Sequence, residues 1–546
     1  MRFERWQVLA AAMALVLGTG LATAAPPQAV PQPEPVQRIE APLPDALQGF
    51  DAFVEQTLRT FDVPGIAVAI VRDGEVVLER GYGVRDRETG APVDAHTLFA
   101  IASNTKAFTA ASLQMLADEG KLEMTDRVVE HLPWFRMSDP YITHDMRIRD
   151  LLAHRSGLSL GAGDLLYWPT TDYSNEEVAR RLKDVPITGQ FRAQYAYDNI
   201  LFGIAQLVVE QVSGMPFDRF LQQRIFDPLG MSETRYNSDH LDGVDNVATG
   251  YAKADFKDLV PAPRMTWSNV GGAGGLYSSV HDLTRWVRAQ LAGGVYAGEG
   301  EDAKRLFSEK AQREMWTMLI PIPVGKPSVP ELKPVTPNFM GYGEGWNLAD
   351  FRGTRMVWHT GGWPGMVSRV TMLPDKGIGV IVLTNAEMGV AFNAVTMRAL
   401  DAMLGLEPTD WNAVYAQVRA KQEAKADESW QKHVAARAAK SKPSLPLAKY
   451  AGTYRDPWYG DIVLWQEKGK MRLRFSHTAD LVGTVQHWAH DTFLVRWDQR
   501  WLNADAFLTF ALDEDGNIRE ARMVPASELT DFSFDFQDLR LAPVKE

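Results

Sequence analysis

The alternation of apolar and polar positions divides the chain into a mixed α/β region, a polar helical stretch and a β-rich tail. An amphipathic period over Asp45–Thr60 predicts a helix. Two β-branched runs, Gly65–Val71 and Glu75–Arg80, flank Asp73-Gly74, whose positive-φ preference predicts a two-residue hairpin. A long, mostly helical region follows. Strands are then predicted over Met356–Thr360, Met366–Leu373 and Gly379–Leu383, the last two joined by the turn Pro374-Asp375-Lys376-Gly377, before a helix over Val390–Leu404. From Thr409 to Lys442 the chain is rich in Ala, Lys, Gln and Glu, with sparse Trp411, Val414, Val418 and Trp430, and reads as a solvated connector helix. Beyond Leu447 the period falls to two: Met471, Leu473 and Phe475 alternate with arginines, Leu508, Phe510 and Leu512 alternate, and so do Phe532, Phe534 and Phe536. With Asp515-Gly516 as a further hairpin turn, this predicts a small antiparallel barrel or sandwich.

The N-terminus changes this picture. Arg2 and Arg5 precede the apolar run Val8–Val16, and Ala22-Thr23-Ala24 is a small-x-small cleavage site, so residues 1–24 read as a signal peptide. Gly18, Thr19 and Gly20 interrupt the ~20-residue apolar span that an anchor needs, and no other stretch is apolar enough to span a bilayer. Residues 25–44 are a proline-rich spacer. The expected organisation is therefore signal peptide 1–24, spacer 25–44, a main domain 45–405, a connector 406–446 and a barrel 447–546, with a periplasmic or secreted destination.

Composition removes several functions. A net charge of −12 over 546 residues disfavours sequence-independent nucleic-acid binding. The absence of cysteine excludes thiol catalysis, disulfides, Cys-bound zinc and lipobox acylation. His131, His144, His154 and His359 show no H-E-x-x-H spacing, so neither metal nor cofactor is expected. Gly271–Gly275 lacks the lysine and the context of a phosphate loop. His487 and His490 read as structural, and Trp346, Trp358 and Trp363 fit a core or a cleft equally well.

Ser103-Asn104-Thr105-Lys106 carries the chemistry. It follows an apolar stretch and opens a helix-like run that Gly120 can stop. Positions three apart share a helical face, so hydroxyl and amine can meet. A serine needs a neighbouring base to become nucleophilic, and a lysine serves only when its pKa is lowered. Alone the pattern is weak: Ser-x-x-Lys is expected about once by chance at average residue usage, and Ser429-Trp430-Gln431-Lys432 repeats it in the polar connector.

Two further motifs follow in order: Tyr197-Asp198-Asn199, and His359-Thr360-Gly361-Gly362 on a predicted strand. This ordered triple resembles the serine β-lactamase and penicillin-binding protein family, in particular its class C-like branch with D-stereospecific peptidase and esterase relatives. Leu151–Leu158, Asp227-Pro228-Leu229-Gly230-Met231 and Gly274–Ser279 match the same branch, over about Asp45–Leu404. The segment from Tyr450-Ala451-Gly452-Thr453-Tyr454 to Asp531–Leu539 resembles the lipocalin-like domain attached to some members.

The resemblance implies an α/β sandwich with an antiparallel sheet and a helical insert, the site lying between them, followed by the barrel. It implies Ser103 as nucleophile, Lys106 sharing its proton, Tyr197 as general base and proton donor, and Asn199 orienting the substrate. His359, Thr360, Gly361 and Gly362 would line the substrate site, with the N–H groups of Ser103 and Gly362 as oxyanion hole. A phenol of reference pKa ~10 would need Lys106 as a cationic neighbour to act as base. His359 departs from the lysine usual in class C β-lactamases, which lowers the expectation of efficient β-lactam hydrolysis.

The expected activity is hydrolysis of amide or peptide bonds, with a small molecule or short peptide as substrate and D-residue specificity left open. Carboxylester or weak β-lactam hydrolysis on the same residues, and a β-lactam-acylated sensor with slow turnover, are the alternatives. The barrel is available for oligomer contacts, and few contacts are expected to cross the connector.

The first expected outcome concerns the N-terminus. Mass spectrometry of the exported protein should find a chain starting near Ala25. An intact Met1 in the membrane fraction would reject cleavage.

Overall fold

The computed structural model describes residues 43–545, and the expected signal peptide and nearly all of the spacer lie outside them. Helix α1 (Phe50–Phe61) starts after Gly49, whose φ of 74° breaks the expected helix into a short 3-10 turn and the helix proper. The hairpin β1 (Gly65–Arg72) and β2 (Glu75–Gly83) turns at Asp73 and Gly74 with φ of 51° and 82°, the left-handed pair that such a turn requires.

The main sheet is completed far along the chain by β3 (Ile320–Pro321), β4 (Met340–Tyr342), β5 (Asn347–Phe351), β6 (Thr354–Trp363), β7 (Met366–Leu373) and β8 (Ile378–Thr384). The order is β3-β4-β5-β6-β7-β8-β1-β2 and every neighbouring pair is antiparallel. β1 is almost wholly buried, as a strand covered on both faces must be. On one face lie α1 and the helix Gly389–Met403; on the other lies the insert, whose long helices are α2 (Thr105–Asp118), α3 (Ile200–Ser213) and α4 (Val280–Leu291). α2 is buried from Thr105 to Leu116, so it is the central helix of the insert, and its burial all round replaces an amphipathic stripe. This is the expected α/β sandwich with an antiparallel sheet and helical insert.

The connector is a helix over Trp411–Ala436. Its few apolar positions are its anchors: Trp411, Val414, Tyr415 and Val418 are buried, and Trp430 lies 5.4 Å from the Trp488 ring of the barrel. Ser429 and Lys432 lie on its solvated part, where Lys432 pairs with Glu428.

Eight strands from Gly452 to Pro543 form the tail. The first pairs with the last, and Ala521 exchanges two hydrogen bonds with Leu541, which nearly closes the sheet into a barrel. Met471, Leu473 and Phe475 point inward as their alternation predicts. Phe532–Phe536 is a correction: it forms no strand. Ser533 and Phe534 donate backbone hydrogen bonds to Asp531 and coil the segment into turns, so Phe532 is exposed while Phe534 and Phe536 are buried.

The expectation of few contacts across the connector fails, because residues 43–546 form one compact unit. The buried Asp535 carboxylate accepts from the backbone N–H groups of Gly163 at 2.7 Å and Leu165 at 3.1 Å. Ser159 donates to Asp538, Arg181 to the Trp458 carbonyl, and His477 stacks on Tyr173 at 4.2 Å. Buried backbone donors need partners, and the tail supplies two of them inside the insert.

Asp535→Ala should therefore destabilise the full chain by about 2 kcal/mol or more, the scale for leaving buried donors unpaired. Chemical denaturation, with the exposed Asp515→Ala beside it, measures the difference; equal midpoints would show the contact to be dispensable.

Candidate active site

The chain enters the site through Phe99–Ala100, a short strand paired with Leu276–Ser278. Ala102 has φ 47°, a left-handed conformation costing an L-residue roughly 1–2 kcal/mol. It reverses the chain into the 3-10 turn Ala102–Asn104, which runs straight into α2. Ser103 and Lys106 thus face the same way, and Lys106 Nζ lies 2.9 Å from Ser103 Oγ.

Lys106 is wholly buried and has two other polar neighbours: Asn199 Oδ1 at 2.6 Å and the Ala273 carbonyl at 2.9 Å. Both only accept, so they fix two N–H bonds of the amine. The third position faces the Ser103 hydroxyl. It is an N–H donor in the ammonium form and a lone pair in the neutral amine. Burial pushes the Lys106 pKa down to about 7, against the pull of Asp164 and Asp198. Near neutral pH the lone pair is therefore available to receive the hydroxyl proton.

Asn199 precedes α3 and is oriented by its second amide bond, Nδ2 to Asp164 Oδ2 at 2.9 Å. Asp164 also accepts from Tyr167 and, at 2.8 Å, from Ser533 Oγ of the barrel segment. Burial raises its carboxyl well above the usual range. A continuous path runs from the barrel to the amine: Ser533, Asp164, Asn199, Lys106. Asp198, held by Ser156 at 2.8 Å, is likewise raised by burial, to about 7.

The Tyr197 ring lies 4.9 Å from Lys106 Nζ, and its hydroxyl faces the Ser103 side chain. Burial lifts the phenol well above its ordinary value, with the Ser103 side chain opposing. The expected cationic depression is thus outweighed, and Tyr197 holds its proton. Its loop is fixed by Tyr197 O accepting from Gly161 and by His154, whose ring packs 4.1 Å away while Nδ1 accepts from Asp198 N–H.

His359 is buried. Its Nδ1 lies 2.6 Å from the Thr360 carbonyl, which only accepts, so Nδ1 carries the proton and Nε2 accepts from Tyr342 O–H at 2.7 Å. Both partners suit the neutral ring, and burial, with Lys106 adding to it, lowers its pKa to about 3. Thr360 is half-buried, Gly361 buried and Gly362 exposed. A Cβ on Gly361 would stand 2.1 Å from the Ile101 carbonyl, so only glycine lets β6 pass this close to the serine turn. Ser368 on β7 ties the same turn, donating to Ile101 O and accepting from Asn104, each at 2.7 Å.

Ser103, Lys106, Tyr197 and Asn199 are therefore brought together, with the strand of His359–Gly362 beside them. Sequence reasoning missed Asp164, Tyr342, the Ala273 carbonyl and Ser533. The Gly271–Gly275 run was the available signal for Ala273: Cβ atoms on Gly271 and Gly274 would collide with Tyr236 at 1.9 Å and Trp267 at 2.2 Å. Nothing local marks Ser533. Trp346 and Trp363 are core residues, the latter 4.4 Å from Trp267, while Trp358 is half-buried with the Arg369 guanidinium 4.8 Å from its ring.

Beside Tyr197 opens a cavity of about 290 Å³, lined by Leu158, Ser159, Leu160 and Tyr195 among others. A second, of about 370 Å³, shares Ser159 and Leu160 and is otherwise walled by the barrel segment, including Asp531 and Phe532. The Phe532 ring stands 5.8 Å from that of Tyr197. The barrel segment thus walls the second cavity and brings Phe532 against the Tyr197 ring.

Comparison with known proteins gives consistent matches. The β-lactamase family model matches residues 50–403, and a domain of unknown function (DUF3471) matches 436–543. The chain is 30% identical over 481 residues to the unguisins hydrolase ungD of Aspergillus violaceofuscus, covering 81% of this chain and 82% of that protein. It is 25% identical over 349 residues to protein flp of Staphylococcus aureus, covering 62% of this chain and 63% of that one. Among solved structures, the octameric penicillin-binding protein homologue of Pyrococcus abyssi aligns with a TM-score of 0.57 at 22% identity, over 91% of this chain and 99% of that one. The D-amino acid amidase of Ochrobactrum anthropi SV3 aligns at 0.55 and 21%, over 66% and 99%.

The electrostatics fix a pH profile. Lys106 gains its lone pair as pH rises through about 7, so fluorophosphonate labelling of Ser103 should rise through that pH and then level off. Asp164 pulls the Lys106 pKa upward, so Asp164→Asn should move the midpoint to lower pH. An unmoved midpoint, or one shifted upward, would remove Lys106 from the titration.

Proposed function

The chain belongs to the β-lactamase family of serine hydrolases, and from that premise we propose that it is an exported enzyme that cleaves amide or peptide bonds through an acyl-enzyme on Ser103. The observation that carries this reading is the buried Lys106 amine, 2.9 Å from Ser103 Oγ with its pKa lowered to about 7.

Ser103 Oγ attacks the scissile carbonyl carbon while its proton passes to Lys106 Nζ. The new C–O bond pushes the carbonyl electrons onto oxygen, which the backbone N–H groups of Ser103 and Gly362 receive. As the tetrahedral centre collapses, the C–N bond breaks and the leaving nitrogen takes the Tyr197 proton. Lys106 returns its proton to the phenolate, and a water molecule then hydrolyses the ester by the reverse route. A departing amine needs a proton in the transition state. The phenol that burial keeps protonated beside Ser103 supplies it, so Tyr197 acts here as acid, with Lys106 as base.

His359 supports the choice of substrate. It sits, neutral, where class C β-lactamases usually carry a lysine, so no fixed cation at this position awaits a substrate carboxylate. Neutral amides and peptides fit that field better than anionic β-lactams do. Export rests on Arg2, Arg5, the Val8–Val16 run and Ala22-Thr23-Ala24.

Purified protein should turn over one or more aminoacyl amides from a panel of D- and L-forms, faster than short esters or a chromogenic cephalosporin. Ser103→Ala should abolish turnover, and Tyr197→Phe should cut kcat by ~10²-fold or more. Preferred ester turnover would transfer the reading to an esterase, and a cephalosporin adduct without turnover to a sensor.

A further inference from the structure

Away from the serine site, the sheet edge carries a cluster that the hydrolytic reading does not use. β2 is the outer strand of the main sheet, and Glu79 on it lies 2.7 Å through Oε1 from His281 Nδ1, in the first turn of α4. The two rings His281 and His96 stand 4.5 Å apart, tilted by 46°. His96 Nδ1 in turn lies 2.6 Å from Glu233 Oε1, and the other Glu233 oxygen accepts from Ser279, the N-cap of α4, at 2.6 Å. Two histidines from separate segments thus stand side by side, each flanked by a glutamate from another segment.

We propose that Glu79, His96 and His281 bind a divalent transition-metal ion of the Zn²⁺ type, with Glu233 orienting His96. One nitrogen of each ring and one Glu79 oxygen lie within 4.8 Å of one another. Donors around a tetrahedral ion at 2.0–2.1 Å stand roughly 3.4 Å apart, so rotamer adjustments alone close the set. Nitrogen and carboxylate donors suit Zn²⁺ and its neighbours better than Ca²⁺ or Mg²⁺, which prefer oxygen alone.

The scaffold is already in place. His281 N–H donates to the Ala95 carbonyl at 3.1 Å, which pins the start of α4 to the residue before His96, and His96 N–H donates to Asp94 at 3.0 Å. Each imidazole has its Nδ1 on a carboxylate, and neither Nε2 makes a hydrogen bond among the described residues. For His96, the Glu233 carboxylate on Nδ1 is the arrangement that orients a metal-binding histidine through its other nitrogen. The positive end of α4 opposes a cation, and two carboxylates outweigh it. The His96 side chain is 52% exposed, which leaves room for entry and for a water ligand.

An ion here would tie the sheet edge, the start of α4 and the loop of Glu233 to the segment that runs from His96 to Ser103. Its role is to brace the fold, and it takes no part in the acyl chemistry.

The test uses chelator-stripped full-length protein. Calorimetric titration with ZnCl₂ should show one ion per chain and a higher thermal midpoint. Co²⁺ should give the intense visible bands of a low-symmetry four-coordinate site. His96→Ala/His281→Ala should lose both effects, and Glu79→Gln should weaken Zn²⁺ binding at least ~10-fold. Labelling of Ser103 should be unchanged in all three proteins. If the double variant fails to fold by circular dichroism, Glu79→Gln and Glu233→Gln carry the comparison. No stoichiometric Zn²⁺, or the same stoichiometry and affinity in the variants, would overturn the site.

Discussion

Everything around Ser103 follows from putting an amine where no water reaches it. A buried lysine is costly as a cation, and the cost is relieved by lowering its pKa and by giving every N–H an acceptor. Lys106 does both. Asn199 and the Ala273 carbonyl take two hydrogens, and the remaining position is left for the serine. The glycines around Ala273 let that carbonyl come close, Asp164 turns Asn199 the right way, and Ser533 turns Asp164.

The same buried charge shapes its neighbours. His154 and His359 are neutral because burial opposes protonation and Lys106 adds to the effect. Tyr197, Tyr195 and Tyr342 are held protonated by burial. Lys106 and Asp198 therefore change charge near pH 7, while the surrounding lining of phenols and imidazoles stays polar but uncharged. Such a lining favours a substrate that brings no strong charge to the reacting bond.

The barrel belongs to this arrangement physically. Asp535 satisfies two backbone donors on either side of Asp164, Ser533 bonds the Asp164 carboxylate itself, and Phe532 stands over Tyr197. The connector helix is solvated over much of its surface, yet the units it joins share buried polar contacts. Removal of the tail would leave the Gly163 and Leu165 donors unpaired and take the Ser533 hydrogen bond from Asp164, which costs more than the loss of apolar contact alone.

The sequence by itself determined the elements with strong local signals. The Asp73-Gly74 hairpin, strand Met366–Leu373, the helix starting near Val390 and the inward residues of Lys470–Phe475 all follow from period and turn chemistry, which act over a few residues. It also placed Ser103 and Lys106 on one helical face, and the ordered motifs marked Tyr197, Asn199 and His359–Gly362. Tertiary structure decided what depends on burial and on distant partners. The period-2 phenylalanines at 532–536 look like a strand until Asp535 finds its donors in the insert, which lies hundreds of residues away. Tyr197 reads as a phenol beside a cation, and only the packed structure shows the burial that raises its pKa. His96 and His281 are far apart in the chain and show no metal spacing, yet the edge of the sheet and the start of α4 bring their rings into contact. Local propensity is written in neighbouring residues; desolvation and the pairing of remote side chains exist only once the chain has packed.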